Sequence, residues 1–184
     1  MSIDKLKEKK DVSITWRHYP LHPSIPNEGL KIKDGSDNET NANRKAYSEH
    51  LESQFREQGL KLVSRKVISN SRMAQELAAW AVSQKFGAKI HIKLFEAYFV
   101  DKKNLGDIPT LLEITKSAGL DPHLAKQALE NRAFADEVNK DWEFARENGI
   151  TGVPTFHAKD FFLYGMQPYE VLERFYNNLR RKVT

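Results

Sequence analysis

There is no cysteine in this chain, and that absence excludes more than any single motif supplies. Its 184 residues can build no disulfide, no thiolate nucleophile and no cysteine-ligated metal site. Apolar runs fall short of the roughly 18 residues that a spanning helix needs, so a soluble protein with no membrane partner is expected. The opening residues MSIDKLKEKKDV are too polar for the apolar core of a secretory signal, which makes the cytoplasm the expected location. A glycine-rich phosphate loop, a G-x-S-x-G elbow and an H-E-x-x-H helix are all missing, leaving hydrolase and nucleotide-binding readings without support.

Surplus charge of one sign is also scarce once it is located. The net charge is +4, but residues 1–10 carry +2 and Arg180, Arg181 and Lys182 carry +3, so the body stands at -1. Basic ends on a near-neutral body do not make a nucleic-acid surface, and no nucleic-acid partner is expected. The six histidines are dispersed. His18 and His22 have the four-residue interval of a helical ligand pair, but Pro20 between them removes the helix, and no metal site is expected.

What is present is mostly helix pattern. The N-terminal charged residues read as a helix that passes into VSITW, residues 12–16, a β-branched run expected to form a strand. Pro20, Pro23 and Pro26 impose an irregular path. Residues 33–45 are polar and aperiodic and read as a mobile loop; from Ala46 the repeat Tyr47, Leu51, Phe55 marks an amphipathic helix ending near Gly59. Residues 60–68 read as a short strand or extended link.

Residues 72–147 are almost entirely helical by periodicity. Met73, Leu77, Trp80 and Ala81 form one stripe, and Ile90, Ile92, Leu94, Phe95, Tyr98 and Phe99 give the next helix so wide an apolar face that it is expected to be central. Gly119 closes a third helix, and Asp121-Pro122 supplies an N-cap with proline at the first helical position for a fourth. A last helix carries Phe134, Val138, Trp142 and Phe144. The C-terminal part changes character: VPTFHA and DFFLYG, separated by Lys159-Asp160, read as a β-hairpin, and Pro168 opens a closing helix. The pattern is α/β with a helical insertion.

Two stretches are candidates for chemistry. Val153-Pro154 follows Gly152 at the start of a strand, where a cis X-Pro bond would leave Val153 backbone groups available to a ligand and a trans bond would be an ordinary strand start. Asn70, Ser71 and Arg72 precede a strongly apolar helix, where capping accounts for them and a pocket role is the alternative. Carboxylates such as Asp136, Glu137 and Glu143 lie opposite an apolar stripe and read as solvated.

The stretches WRHYPLHPSIPNEG, SNSRMAQELAAWA, GITGVPTF and YGMQPYEVL follow the order and spacing of DsbA-like thioredoxin-domain proteins. The chain resembles most closely the cytoplasmic FrnE-like and 2-hydroxychromene-2-carboxylate isomerase branch, over residues 11–179. The resemblance implies a thioredoxin-like fold with an inserted helical domain, divided as 1–68, 69–148 and 149–184. It implies a cis Val153-Pro154 pair that meets a thiol peptide or glutathione, with Asn70, Arg72 and Met73 and Gly165, Met166 and Gln167 lining the same cleft.

The start of the chain departs from that family. Its first strand and its Cys-x-x-Cys, or a serine equivalent, at the first helix N-terminus have no counterpart in SIDKLKEKKDVSITW. The expectation is therefore a homologue of thiol-disulfide oxidoreductases that is not redox-active alone. The alternatives are a non-catalytic peptide- or glutathione-binding module and a glutathione-dependent isomerase or transferase. No cofactor beyond glutathione is implied. Loss of a central strand also leaves a gap in the sheet, expected to be filled by a second copy in a homodimer, by a separate N-terminal polypeptide, or by a rearranged sheet that uses residues such as Leu60 to Ile68.

Overall fold

A computed structural model describes residues 2–32, 38–57, 59, 62 and 67–181. Contacts group the chain into two compact units, Met1–Leu21 with Asp141–Thr184, and His22–Lys140. Residues 22–68, expected with the N-terminal part, thus group with the helical block. Side chains of the block account for this: Asn70 Nδ2 donates to the Ile25 carbonyl, and Asn104 Nδ2 donates to the Asn27 carbonyl at 2.8 Å.

The larger unit contains β1 (Leu30–Lys31), α2 (Asn38–Glu57), β2 (Val67–Ile68), α3 (Arg72–Ser83), α4 (Gly87–Phe99), α5 (Ile108–Ser117) and α6 (Pro122–Glu130). Strands β1 and β2 pair antiparallel, Leu30 opposite Ile68 and Lys31 opposite Val67. Residues 38–45 are helical rather than looped: 38–57 holds no proline or glycine, and a polar sequence does not bar a helix when no breaker interrupts it. The rest of the expected loop, 33–37, and most of the stretch 60–66 lie outside the described residues.

Helix boundaries follow local chemistry. Asp107 and Asp121 accept from the backbone N–H groups of Thr110 and His123, each followed by a proline in the first turn, and Gly119 closes α5 at φ +82°. Helix α3 is the centre of the packing, in contact with α4, α5 and α6. Leu77, Ile90 and Leu111 are fully buried there, each contributing about 2–3 kcal/mol of apolar burial.

Helix α4 is less central than its composition suggests. Ile90, Leu94 and Ala97 are buried, but Ile92 and Phe95 are 57% and 59% exposed, because α3 and α5 cover only one side. Two glycines tighten the same unit. A Cβ on Gly106 would stand 2.3 Å from the Asn27 carbonyl oxygen, and one on Gly29, at φ +84°, would stand 2.6 Å from Val67 Cγ1.

The smaller unit holds α1 (Ser2–Lys9), β3 (Thr155–Ala158), β4 (Phe161–Tyr164) and α8 (Tyr169–Arg181), and α7 (Ala135–Glu147) enters it at Asp141. Helices α1 and α8 pack together and bury Leu6 and Leu172. Residues 12–16 form no strand: the ladders among the described residues are β1–β2 and β3–β4, and β-branched composition alone does not make a strand. No described helix is long and apolar enough to cross a membrane.

Candidate substrate-binding site

The hairpin β3–β4 positions five of the eight expected site residues. The Val153-Pro154 bond is cis, and the Pro154 carbonyl accepts from the Gly165 N–H at 2.8 Å. Gly165 takes φ +79°, a left-handed turn that suits glycine and carries the chain from β4 into Met166 and Gln167. Gln167 Nε2 donates to the Tyr164 carbonyl at 2.6 Å, so its amide ends the outer edge of β4. Thr155 Oγ1 donates to the Gly152 carbonyl at 2.7 Å and closes the turn before β3.

Of the expected site residues here, Val153 and Met166 present apolar side chains at 52% and 54% exposure. Among the described residues, the Val153 N–H and C=O make no hydrogen bond. Exposed backbone donors and acceptors beside a strand are what an extended ligand recognises.

The other three expected residues begin α3 in the larger unit. Asn70 Oδ1 accepts from the Arg72 N–H at 2.8 Å, so the helix is capped from the residue before its N-cap, Ser71. Arg72 donates through Nε to Glu76 and through Nη2 to the Ala135 carbonyl at 2.9 Å. Met73 is buried in the helical core. The structure brings these three together and gives each an internal role.

Sequence reasoning missed the partners that hold this arrangement. Glu76 is buried, and Arg132, from the turn after α6, forks onto it with Nε–Oε2 at 2.8 Å and Nη2–Oε1 at 2.6 Å. Burial pushes the Glu76 carboxyl up, but hydrogen bonds from Arg132 and Arg72 outweigh it and hold the pKa below the usual carboxylate value. Arg132 sits at φ +52° to make this reach. The only hint in the sequence was a glutamate on an otherwise apolar helix face.

Asp141 is the second missed residue. It accepts from the His18 N–H at 2.9 Å and contacts His18 Nδ1 at 2.8 Å and Arg17 Nη1 at 2.9 Å. The Arg17 guanidinium lies 4.4 Å from the Phe144 ring centroid, and Phe144 also meets His157 edge-on at 5.2 Å. Asp136, Glu137 and Glu143 are exposed. Among the described residues no cluster of three metal-ligating side chains occurs.

A family model for the DSBA-like thioredoxin domain matches residues 1–177. The chain belongs to the DSBA-like thioredoxin domain family. The chain is similar to the uncharacterized protein YwbO of Bacillus subtilis, 26% identical over 176 residues that cover 94% of this chain and 85% of that protein. A crystal structure described as a probable DsbA oxidoreductase from Streptomyces coelicolor superposes with a TM-score of 0.82 at 23% identity, covering 94% of this chain and 77% of that one. The fold is accordingly DsbA-like, a thioredoxin-type mixed α/β fold that is mostly helical with few strands. This DsbA-like chain, with no cysteine, contains no thiol for disulfide exchange.

Proposed function

We propose that this chain is a homologue of thiol-disulfide oxidoreductases whose own contribution is ligand binding, not redox chemistry. The ligand is a thiol peptide or a glutathione-like molecule, held along Val153 and flanked by Gly165, Met166 and Gln167. The carrying observation is the exposed Val153 with backbone N–H and C=O unbonded among the described residues, beside a strand. Family membership supports the ligand class, and the absence of cysteine limits the chemistry. With no cysteine in these 184 residues, a thiol must come from the ligand or from a partner polypeptide. The same reading expects a partner strand, since among the described residues β3 and β4 form a sheet of two strands.

Calorimetric titration with reduced glutathione and with a cysteine-containing hexapeptide tests it. Binding of either is expected, weakened about 2- to 10-fold in Val153→Pro, which removes one N–H donor. Insulin reduction by the chain alone should stay at the uncatalysed rate. A folded protein that binds neither ligand at millimolar concentration would sink the reading.

A further inference from the structure

Helix α4 is apolar on two faces, and only one of them is packed. Helices α3 and α5 cover Ile90, Leu94 and Ala97. On the opposite side Ala88, Ile92, Phe95 and Phe99 follow one another at steps of four, three and four residues, the spacing of a single helix face. Ala88, Ile92 and Phe95 are exposed and Phe99 is half-buried. The stripe runs for about 16 Å at 1.5 Å per residue. Its C-terminal end is bulky: Phe95 stacks on Phe99 with ring centroids 5.8 Å apart, and Phe55 of α2 meets Phe99 at 5.6 Å. Its N-terminal end is slim, with Ala88 next to Gly87. A contiguous apolar face left in water marks an interaction surface.

Size and charge along the stripe identify what covers it. The spacing is the same from either end, so two copies of α4 can lie antiparallel about a two-fold axis passing between Lys93 and Leu94. Ile92 then meets Phe95 of the second copy at the centre, and Ala88 lies opposite Phe99 at each end, small against large. Lys89 and Glu96 are exposed along one flank of the stripe. The same axis sets Lys89 beside Glu96 of the second copy, and the reverse pair forms by symmetry. Glu96 holds Lys93 of its own helix through Oε2 at 2.7 Å, which leaves Oε1 to accept from a cation across the axis. Antiparallel helices also place opposite dipole ends together, whereas a parallel pair would set Lys89 against Lys89.

We propose that this face of α4 is the contact surface for a second copy of the chain, joined as an antiparallel two-fold pair. The inference stands apart from the ligand reading above and from any partner at the hairpin, because it uses only the larger unit. A lipid surface or an unrelated protein would require neither the size match nor the register of Lys89 with Glu96. A contact of three helical turns is small, so the dimer should be weak, with a dissociation constant on the order of 10–100 µM.

Sedimentation equilibrium of the full chain from about 5 to about 500 µM tests this. The mass should rise from one chain toward two, and Phe95→Lys should stay monomeric with an unchanged circular-dichroism spectrum. Lys89→Glu and Glu96→Lys each bring like charges together across the axis and should weaken association about fivefold or more. The double reversal should restore it. Because the chain has no cysteine, Ile92→Cys supplies a single thiol within disulfide reach of its own copy across the axis. Mild oxidation should link that variant into a dimer, while Leu124→Cys, exposed on α6, should stay unlinked. A chain monomeric throughout, a dimer that Phe95→Lys leaves intact, or a double reversal that fails to restore association would overturn the proposal. So would Phe95-dependent binding to phosphatidylglycerol vesicles without self-association. Glutathione affinity should be the same in Phe95→Lys and the wild type, so failure of the thiol reading leaves this inference standing, and the converse also holds.

Discussion

Arg132 and Glu76, 56 residues apart in sequence, meet through two parallel nitrogen–oxygen contacts at 2.8 and 2.6 Å, and Arg72 closes the same carboxylate from its own helix. Glu76 is 2% exposed, so its charge is tolerated only because both guanidinium groups are present. Glu76→Ala, which removes the acceptor of the largely buried Arg72 guanidinium and of the half-exposed Arg132, should cost about 3–5 kcal/mol. Arg132→Ala, which leaves Arg72 in place, should cost about 1–3 kcal/mol. Urea unfolding of the two variants gives the order, and equal losses would contradict it.

The same carboxylate predicts an acid dependence. Its pKa in the folded chain lies below the ordinary value, so its contribution is present in full above the ordinary carboxylate range. It is lost as pH falls from there through the lowered folded pKa. The stability gap between the wild type and Glu76→Gln should therefore be constant near neutrality and shrink between about pH 5 and about pH 3. Denaturant midpoints across that range read the gap.

Asp141 ties the stretch around Arg17 and His18 to α7 with three contacts. Removing a carboxylate that accepts charge-assisted bonds costs about 1.5–3 kcal/mol. Asp141→Ala should show that loss together with faster amide exchange over residues 11–20, whereas α1 and α8, held by Leu6 and Leu172, keep their protection.

Core and surface of the helical unit should separate cleanly. Leu77→Ala opens a cavity at a fully buried position of α3 and should cost about 2–5 kcal/mol. Phe95→Ser removes a ring that is 59% exposed and should shift stability by no more than about 0.5–1 kcal/mol. Thermal unfolding of the pair distinguishes a one-sided α4 from a buried one.

These positions also show what the sequence could and could not tell. The end of α5 and the start of α6 were legible because Gly119, Asp121 and Pro122 are local signals, each acting within one turn. The hairpin was legible for the same reason, its loop lying between two apolar runs. Residues 12–16 were misread because a strand depends on a neighbour that composition does not reveal. Ile92 and Phe95 were misread because an apolar face does not say how many helices cover it. Local geometry was legible where it belongs to one stretch of chain, the cis bond at Val153-Pro154 and the turn from Gly165 to Gln167. Glu76 with Arg132 and His18 with Asp141 were not, since pairs that far apart leave no periodic trace.

Gly106 carries one more consequence, and it concerns descent rather than stability. Any side chain there would strike the Asn27 carbonyl oxygen, a backbone atom that cannot rotate away, and Gly29 faces β2 almost as closely. A larger residue at either position therefore requires the chain it meets to shift, so glycine is expected at both in related proteins. A relative with a larger residue at the position of Gly106 should also carry a compensating insertion or deletion near Asn27, and such paired changes would trace the branches of the lineage.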